Sequence, residues 1–215
     1  MNVHSLRRMS SRLDPPTDRR EQILRAAMIC FARRGFHQAS MHDISAEAGI
    51  SVGLIYRYFE NKDAVISAIA DQHKQRVQEL LERARQAPTL LEALEVLFTE
   101  HCCDNTPQVI SAFVVDLFAE AGRNPRVADL VRDVTTTAMK GVTELIAKSP
   151  EALAGMQNMS PRELAELIFA LNDGMLMRDV LAMHRPPEQI RERQLKVARN
   201  LWRLLFSHSS EGAIA

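Results

Sequence analysis

Along the whole chain, apolar residues recur every three to four positions, and no stretch alternates apolar and polar residues as a strand does. This periodicity predicts consecutive helices separated by serine, asparagine, glycine and proline, the residues that begin and end helices. The predicted helices cover 20–35, 41–48, 52–59, 62–86, 89–103, 107–122, 125–148, 161–184 and 187–207, and residues 149–159 are predicted to form a loop. The pattern therefore predicts an all-α protein of about nine helices.

The stretch GISVGLIYRYF, residues 49–59, contains both tyrosines of the chain and an arginine between them. Gly49 can adopt the left-handed conformation that ends a helix, and Ser51 can cap the helix that follows. Two short helices joined at Gly49 form a helix-turn-helix. The residues predicted to face inward are Ile44, Ile50, Ile55 and Phe59. The second helix is predicted to turn outward Val52, Gly53, Leu54, Arg57 and Tyr58, with Tyr56 at the edge.

These outward residues suit contact with DNA. Tyrosine hydroxyls donate hydrogen bonds to phosphate oxygens, and the Arg57 guanidinium can pair with phosphate or bidentately with guanine. Gly53 lets the backbone approach closely, and Lys62 adds a positive charge beside a helix N-terminus, which itself attracts anions. The alternative is a helical hairpin whose aromatic side chains fill a core.

Overall composition is ordinary, but the placement of charge supports the DNA interpretation. Of the 215 residues, 46% are hydrophobic and 25% are charged, and the net charge is zero. Residues 1–62 contain 10 Lys and Arg against 6 Asp and Glu, a balance of +4, whereas residues 63–215 contain 17 against 21, a balance of −4. The basic end is the end with the tyrosines.

The same composition argues against a membrane or secreted protein. No apolar run reaches the roughly 18 residues that span a bilayer, and the N-terminus lacks the apolar stretch of a secretory signal. Three cysteines do not form a disulfide framework, so the sequence predicts a cytoplasmic protein with no membrane partner.

The segment SMHDISAEAGISVGLIYRYFENKDAV, residues 40–65, resembles the N-terminal domain of the TetR family of bacterial transcriptional regulators, and the preceding FARRGF resembles the end of that family's first helix. The sequence departs from the family pattern at Ser45, Tyr58 and Val65. The resemblance implies phosphate contacts from Ser40, Tyr56, Tyr58 and Lys62. It implies base-facing roles for Val52, Gly53, Leu54 and Arg57, and Ser51 belongs to the same DNA-facing set.

The expected domains are a flexible basic arm at 1–16, a helix-turn-helix domain at 17–62 and a helical effector-binding and dimerisation domain at 63–215. Arginines on the arm either reach the DNA or belong to a solvated tail; they are Arg7, Arg8 and Arg12.

The two predicted C-terminal helices, 161–184 and 187–207, carry apolar residues on more than one face. A helix of this kind is buried on two sides, so both can face their own core and a partner chain at once. The resemblance to the TetR family implies the same, a homodimer through these two helices that binds a palindromic operator in double-stranded DNA. The alternative is a monomer in which they are simply central.

The helical body is also predicted to hold a small-molecule effector in an apolar pocket, where flexible methionines would adapt to the ligand. The candidate lining residues are Phe98, His101, Cys102, Phe113, Leu117, Met139, Asn172, Asp173, Met175 and Met177. Asn172 and Asp173 interrupt an apolar run, and serve either this pocket or the dimer seam. Adjacent Cys102 and Cys103 point about 100° apart on a helix, so no metal and no cofactor are expected.

The leading interpretation is a ligand-responsive repressor that a small, hydrophobic effector releases from its operator. A transcriptional activator or a DNA-binding protein without an effector is the alternative. No catalytic motif is evident in the sequence, so an enzyme or a ligand carrier is a distant third interpretation.

Overall fold

The computed structural model describes residues 19–99, 107–155, 159–181 and 186–206, and every regular element in these ranges is a helix. This confirms the all-α prediction. The helices are α1 (Arg19–Gln38), α2 (Met41–Ala48), α3 (Val52–Tyr58), α4 (Lys62–Ala84), α5 (Leu90–Thr99), α6 (Pro107–Ala121), α7 (Pro125–Ala147), α8 (Pro150–Gly155), α9 (Pro161–Leu181) and α10 (Pro187–Phe206).

Local signals place most helix ends where the sequence predicts them. The Ser40 side chain accepts a hydrogen bond from the Asp43 N–H, and the Asp43 carboxylate accepts one from the Ser40 N–H, which together form a capping box. Gly49 ends α2 in the left-handed conformation, with φ 66° and ψ 30°. Ser51 and Asn61 cap α3 and α4 through their side-chain oxygens.

Two of the predicted ends are wrong. Gly35 kinks α1 with φ 77° and ψ 159°, but the helix resumes and continues to Gln38. The predicted loop at 149–159 contains α8, because Ser149 accepts a hydrogen bond from the Ala152 N–H and Pro150 occupies the first turn. This serine-proline signal is the one that begins α9 at Ser160 and Pro161, and it operates equally well for a helix of six residues.

The helices pack around two apolar cores. The first core joins α1, α2, α3 and the start of α4, and it takes in Phe113 from α6 and Val127 from α7. The second core joins the rest of α4 to α5, α7 and α9, with Ala198 from α10. Since α4 contributes to both cores, it connects the two ends of the molecule. Its contact with α7 is close, because a Cβ built on Gly141 would lie 2.4 Å from Cδ1 of Leu81.

The boundary predicted at residue 62 falls at the start of α4. The residues just beyond it are buried in the first core with the helix-turn-helix, and they include Val65, Ile66, Ala68 and Ile69. The front unit of the fold is therefore packed against the body rather than linked to it by an open hinge. Among the described helices, none combines the length and the apolar character needed to cross a bilayer.

Candidate nucleic-acid interface and effector cavity

The helix-turn-helix presents its polar aromatic residues to solvent. Ile55 is fully buried, and this anchors one face of α3 in the first core. Tyr56 and Tyr58 are 53% and 44% exposed, and Arg57 between them is exposed. Each exposed tyrosine presents an apolar ring and a polar hydroxyl, which suits a partner surface that is part apolar and part polar.

The remaining residues of the predicted DNA-facing set occupy different environments. Ser40, Ser51 and Gly53 are exposed, and nothing lies within 4 Å of a Cβ built on Gly53, so another molecule can approach its backbone. Val52 and Leu54 are half-buried. Val52 packs partly against the first core, so it faces outward less than the sequence pattern indicates. The hydroxyls of Ser40 and Ser51 hold the N-termini of α2 and α3.

Lys62 has a role that sequence reasoning missed. Its ammonium donates hydrogen bonds to the carbonyl oxygens of Phe36, His37 and Ala39, where α1 ends. It also lies 4.5 Å from the centroid of the Phe36 ring. Burial lowers the pKa of Lys62, against the opposing effect of Asp63 and Glu120. Lys62 therefore fastens the start of α4 to the end of α1, and no local sequence signal would have revealed these contacts.

A cavity of about 210 Å³ lies between the two cores. Five of the sequence-predicted residues line it: Phe113, Leu117, Asn172, Asp173 and Met175. Further lining comes from α4 and α7, which the sequence analysis did not single out, and it includes Ile66, Ile69, Val77, Val134 and Thr135. The cavity is apolar because the helices around it turn mostly apolar side chains towards it.

Other predicted pocket residues lie elsewhere. Met139 packs against the second core and Met177 is 55% exposed, so neither is among the described residues that line the cavity. The prediction selected Met139, Met175 and Met177 because flexible methionines suit an adaptable pocket, and helical periodicity alone does not distinguish the three positions. The predicted contacts at His101 and Cys102 lie outside the described residues, as does the side chain of Phe98. Within the described ranges, no cluster of three His, Cys, Asp or Glu side chains could hold a metal ion.

Two polar residues of the cavity, Ser111 and Asp173, stand out among the described lining residues. The Ser111 side chain is fully buried, and its hydroxyl has no hydrogen-bond partner among the described residues. Asp173 is the one carboxylate among the described lining residues, and desolvation raises its pKa. No lysine or arginine is found in the described lining. Unpartnered polar groups in apolar surroundings are costly to keep, so they mark positions where a ligand can contribute the missing interaction.

The helix α6 connects this cavity to the end of α1. Its cavity-facing residues include Phe113, Val114, Leu117 and Phe118. On the same helix, the Asp116 carboxylate accepts a hydrogen bond of 2.8 Å from the Phe36 N–H, just after the kink at Gly35. One turn later, the buried Glu120 carboxylate lies 2.8 Å from Nε2 of His37. Sequence reasoning missed Asp116 and Glu120, because their partners are about 80 residues away along the chain.

The C-terminal helices leave apolar side chains exposed. Leu167, Met177 and Leu181 on α9 are 39%, 55% and 79% exposed, and Val197 on α10 is 43% exposed. The two helices are joined by an ion pair between Arg193 and the fully buried Asp179. The single chain therefore has an apolar surface along α9 and α10 that its own fold does not cover.

The geometry defines a helix-turn-helix domain on a helical body that contains an apolar cavity. Residues 23–69 match the model of the bacterial regulatory proteins of the tetR family. The chain is 34% identical over 131 residues to the HTH-type transcriptional regulator UidR of Escherichia coli, an alignment that covers 60% of this chain and 63% of UidR. It is 25% identical over 161 residues to the nicotine-responsive repressor HdnoR of Paenarthrobacter nicotinovorans, which covers 73% of this chain and 81% of HdnoR.

The whole fold has solved relatives as well. Salmonella enterica GusR superimposes with a TM-score of 0.65 and 26% identity, over 92% of this chain and all of GusR. The family model, the curated relatives and the solved structures all indicate a regulator of the tetR family, as the helix-turn-helix segment led us to expect. The alignment spans less than two thirds of UidR, so it does not assign the activity of the whole UidR protein to this chain.

Proposed function

We propose that this protein is a ligand-responsive transcriptional repressor that binds a palindromic operator as a homodimer. The observation that carries the proposal is the exposed Tyr56-Arg57-Tyr58 surface on α3, anchored from below by the buried Ile55. An aromatic and cationic surface on the second helix of a helix-turn-helix fits the phosphates and base edges of a major groove.

Within this surface, we assign Tyr56 and Tyr58 to phosphates and Arg57 to phosphate or guanine. Gly53 lets the N-terminal end of α3 approach the groove, because nothing occupies the space beside its Cα. The other DNA-facing residues, Ser40, Ser51, Val52 and Leu54, lie around the two helix N-termini, whose free N–H groups attract phosphate. Lys62 supports the surface from behind by holding the end of α1.

A homodimer follows from the exposed apolar surface of α9 and α10. One helix-turn-helix covers a single half-site, and two copies related by a two-fold axis read a palindrome whose half-sites are about 34–36 Å apart. The exposed Leu167, Met177 and Leu181 would be covered by the same residues of a second copy. The finding that Met177 faces outward supports this role for it in place of the predicted ligand contact.

The effector acts through α6 in this proposal. A ligand in the cavity presses on Phe113 and Leu117, and α6 transmits the shift through Asp116 and Glu120 to the end of α1. This alters the separation of the two recognition helices, and a change of a few ångströms removes the fit to adjacent major grooves. HdnoR is described as a nicotine-responsive repressor, which supports a repressor that responds to a small molecule.

Selection of sheared genomic DNA on the purified protein at about 0.15 M salt tests the proposal, because non-specific phosphate binding is weak at that concentration. We expect one or a few palindromic fragments. The variants Arg57→Ala and Tyr58→Ala should each weaken binding to the selected fragment by about tenfold or more. Arg132→Ala is the control, since Arg132 is exposed on α7 and pairs with Asp129 on its own helix.

Enrichment of no specific fragment would overturn the proposed function. Unchanged affinity in both α3 variants would overturn the assignment of the surface while leaving a regulator. Binding that a ligand strengthens rather than weakens would indicate an activator or a co-repressed system.

A further inference from the structure

We infer that the ligand of the cavity is an apolar amine, held by its cationic nitrogen at Asp173 and by its apolar body against the phenylalanines of α6. The inference rests on the proposed effector role of the cavity, and it adds the charge and the chemical class of the ligand.

Charge complementarity is the first argument. Among the described residues that line the cavity, Asp173 is the one acidic side chain, and none is a lysine or an arginine. Asp173 is itself exposed on α9 while it lines the cavity, and partial desolvation raises the pKa of its carboxylate. A carboxylate in this position repels an anionic ligand and gains from a cation, since charge interactions strengthen where water is partly excluded.

The apolar surroundings are the second argument. Phe113, Phe118 and Phe169 line the same cavity with a ring of aliphatic side chains. Aromatic faces attract cations, and the aliphatic walls favour a ligand whose remaining surface is hydrocarbon. A hydrophilic cation such as a polyamine would leave these walls without contacts.

The buried hydroxyl of Ser111 is the third argument. It is fully buried, it lines the cavity, and it has no hydrogen-bond partner among the described residues. Asn172 lies beside Asp173 in the lining and offers both a donor and an acceptor. Among the described residues, the cavity thus presents one carboxylate, the imidazole of His73 and several neutral polar groups. This set discriminates between ligands by the charge of their polar group.

Three compounds with one carbon skeleton test the inference directly: 4-phenylbutylamine, 4-phenylbutan-1-ol and 4-phenylbutanoate. Their binding to the full-length protein is measured by isothermal titration calorimetry at neutral pH, without DNA. We expect the amine to bind about tenfold or more tightly than the carboxylate, which corresponds to about 1.4 kcal/mol or more. Asp173→Asn should remove most of the amine's advantage and leave the alcohol unaffected.

Ser111→Ala supplies a second variant that is expected to fold, because it removes a hydroxyl that has no described partner. It should weaken the amine or the alcohol several-fold if the hydroxyl contacts the ligand's polar group. Arg132→Ala is again the control, and it should leave the binding of all three compounds unchanged.

Equal or tighter binding of the carboxylate, or an undiminished amine affinity in Asp173→Asn, would overturn the inference. Failure of all three compounds to bind at millimolar concentration would overturn it as well. Because this assay contains no DNA, its result is independent of the proposed function. An amine that binds as expected but leaves the protein on its operator would count against the effector role alone.

Discussion

The substitution Lys62→Met distinguishes a structural role of Lys62 from a role in DNA binding. Lys62→Met keeps the aliphatic stem and removes the ammonium that donates to the carbonyl oxygens of Phe36, His37 and Ala39. These carbonyls lie at the end of α1, where a helix has no intrahelical donors left to offer them. If the contacts hold α1 to α4, the variant must lose stability. If Lys62 serves mainly as a phosphate contact, as the sequence resemblance implies, it must lose DNA affinity instead.

The expected loss of stability can be set from the contacts. A hydrogen bond to a charged group contributes about 1.5–3 kcal/mol when it is buried. One ammonium shares its three donors among the three carbonyls, and its burial lowers the pKa of Lys62, so it is itself partly desolvated. We therefore expect the substitution to lower the free energy of unfolding by about 2 kcal/mol rather than by the sum of three bonds. For a chain of this size, that corresponds to a fall in Tm of about 4–8 °C.

Thermal unfolding by calorimetry measures the first quantity, and titration of the selected operator over a range of salt concentrations measures the second. Loss of one phosphate contact in each protomer of the proposed homodimer, two in all, would reduce the slope of log K against log salt by about 1.8. Lys74→Met is the matched control, because Lys74 lies on the same helix and forms an exposed pair of 2.7 Å with Asp133. An exposed pair contributes about 0–1 kcal/mol, so the control should change little. A Tm like that of the wild type, together with a smaller salt slope, would show that Lys62 contacts phosphate and does not hold α1 to α4.

Three further predictions concern the interior. Arg193→Met leaves the fully buried Asp179 carboxylate without this partner, so it should lower the free energy of unfolding by about 3 kcal/mol. Urea denaturation measures this quantity. A change within error would mean that the ion pair is solvated. Asp173→Asn should raise Tm at neutral pH, because the raised pKa of Asp173 means that the folded state disfavours the charged carboxylate. The gain in Tm should shrink as the pH falls towards the unfolded pKa of about 4. A gain that is independent of pH would exclude this cause. Burial raises the pKa of Cys30 to about 11, so its thiol should resist iodoacetamide at pH 8 until the protein unfolds. Peptide mapping by mass spectrometry detects the labelled cysteine. Rapid labelling of the folded protein would contradict the buried position.

The helix-turn-helix could be predicted from the sequence because its capping and turn signals are local. The capping residues Ser40 and Ser51 and the left-handed Gly49 act within a few residues of themselves, and the structure has all three in their predicted roles. The inward positions of Ile44 and Ile55 follow from helical periodicity alone, and both are fully buried. The outward position of Tyr56, Arg57 and Tyr58 is then the necessary complement of that buried face.

The sequence predicts that the body contains a cavity, but only some of the residues that line it. Phe113, Leu117 and Met175 were predicted to line it, but so were Met139 and Met177, which lie elsewhere. An apolar residue on a helix in this body faces a core, a cavity or a partner chain, and periodicity is the same for all three. The distinction depends on how neighbouring helices are placed, which no short stretch of sequence records.

The all-α class, most of the helix ends and the outward surface of α3 with its family resemblance follow from the sequence alone. These properties depend on contacts between residues a few positions apart. Only the folded chain reveals that Lys62 fastens α1 to α4 and that Asp116 and Glu120 connect α6 to the end of α1. It also places the buried Ser111 hydroxyl, which has no partner among the described residues, in the same cavity as Asp173. Each of these contacts depends on how helices distant in sequence pack together. A polar group becomes buried, and gains or lacks a hydrogen-bond partner, only once the chain has folded.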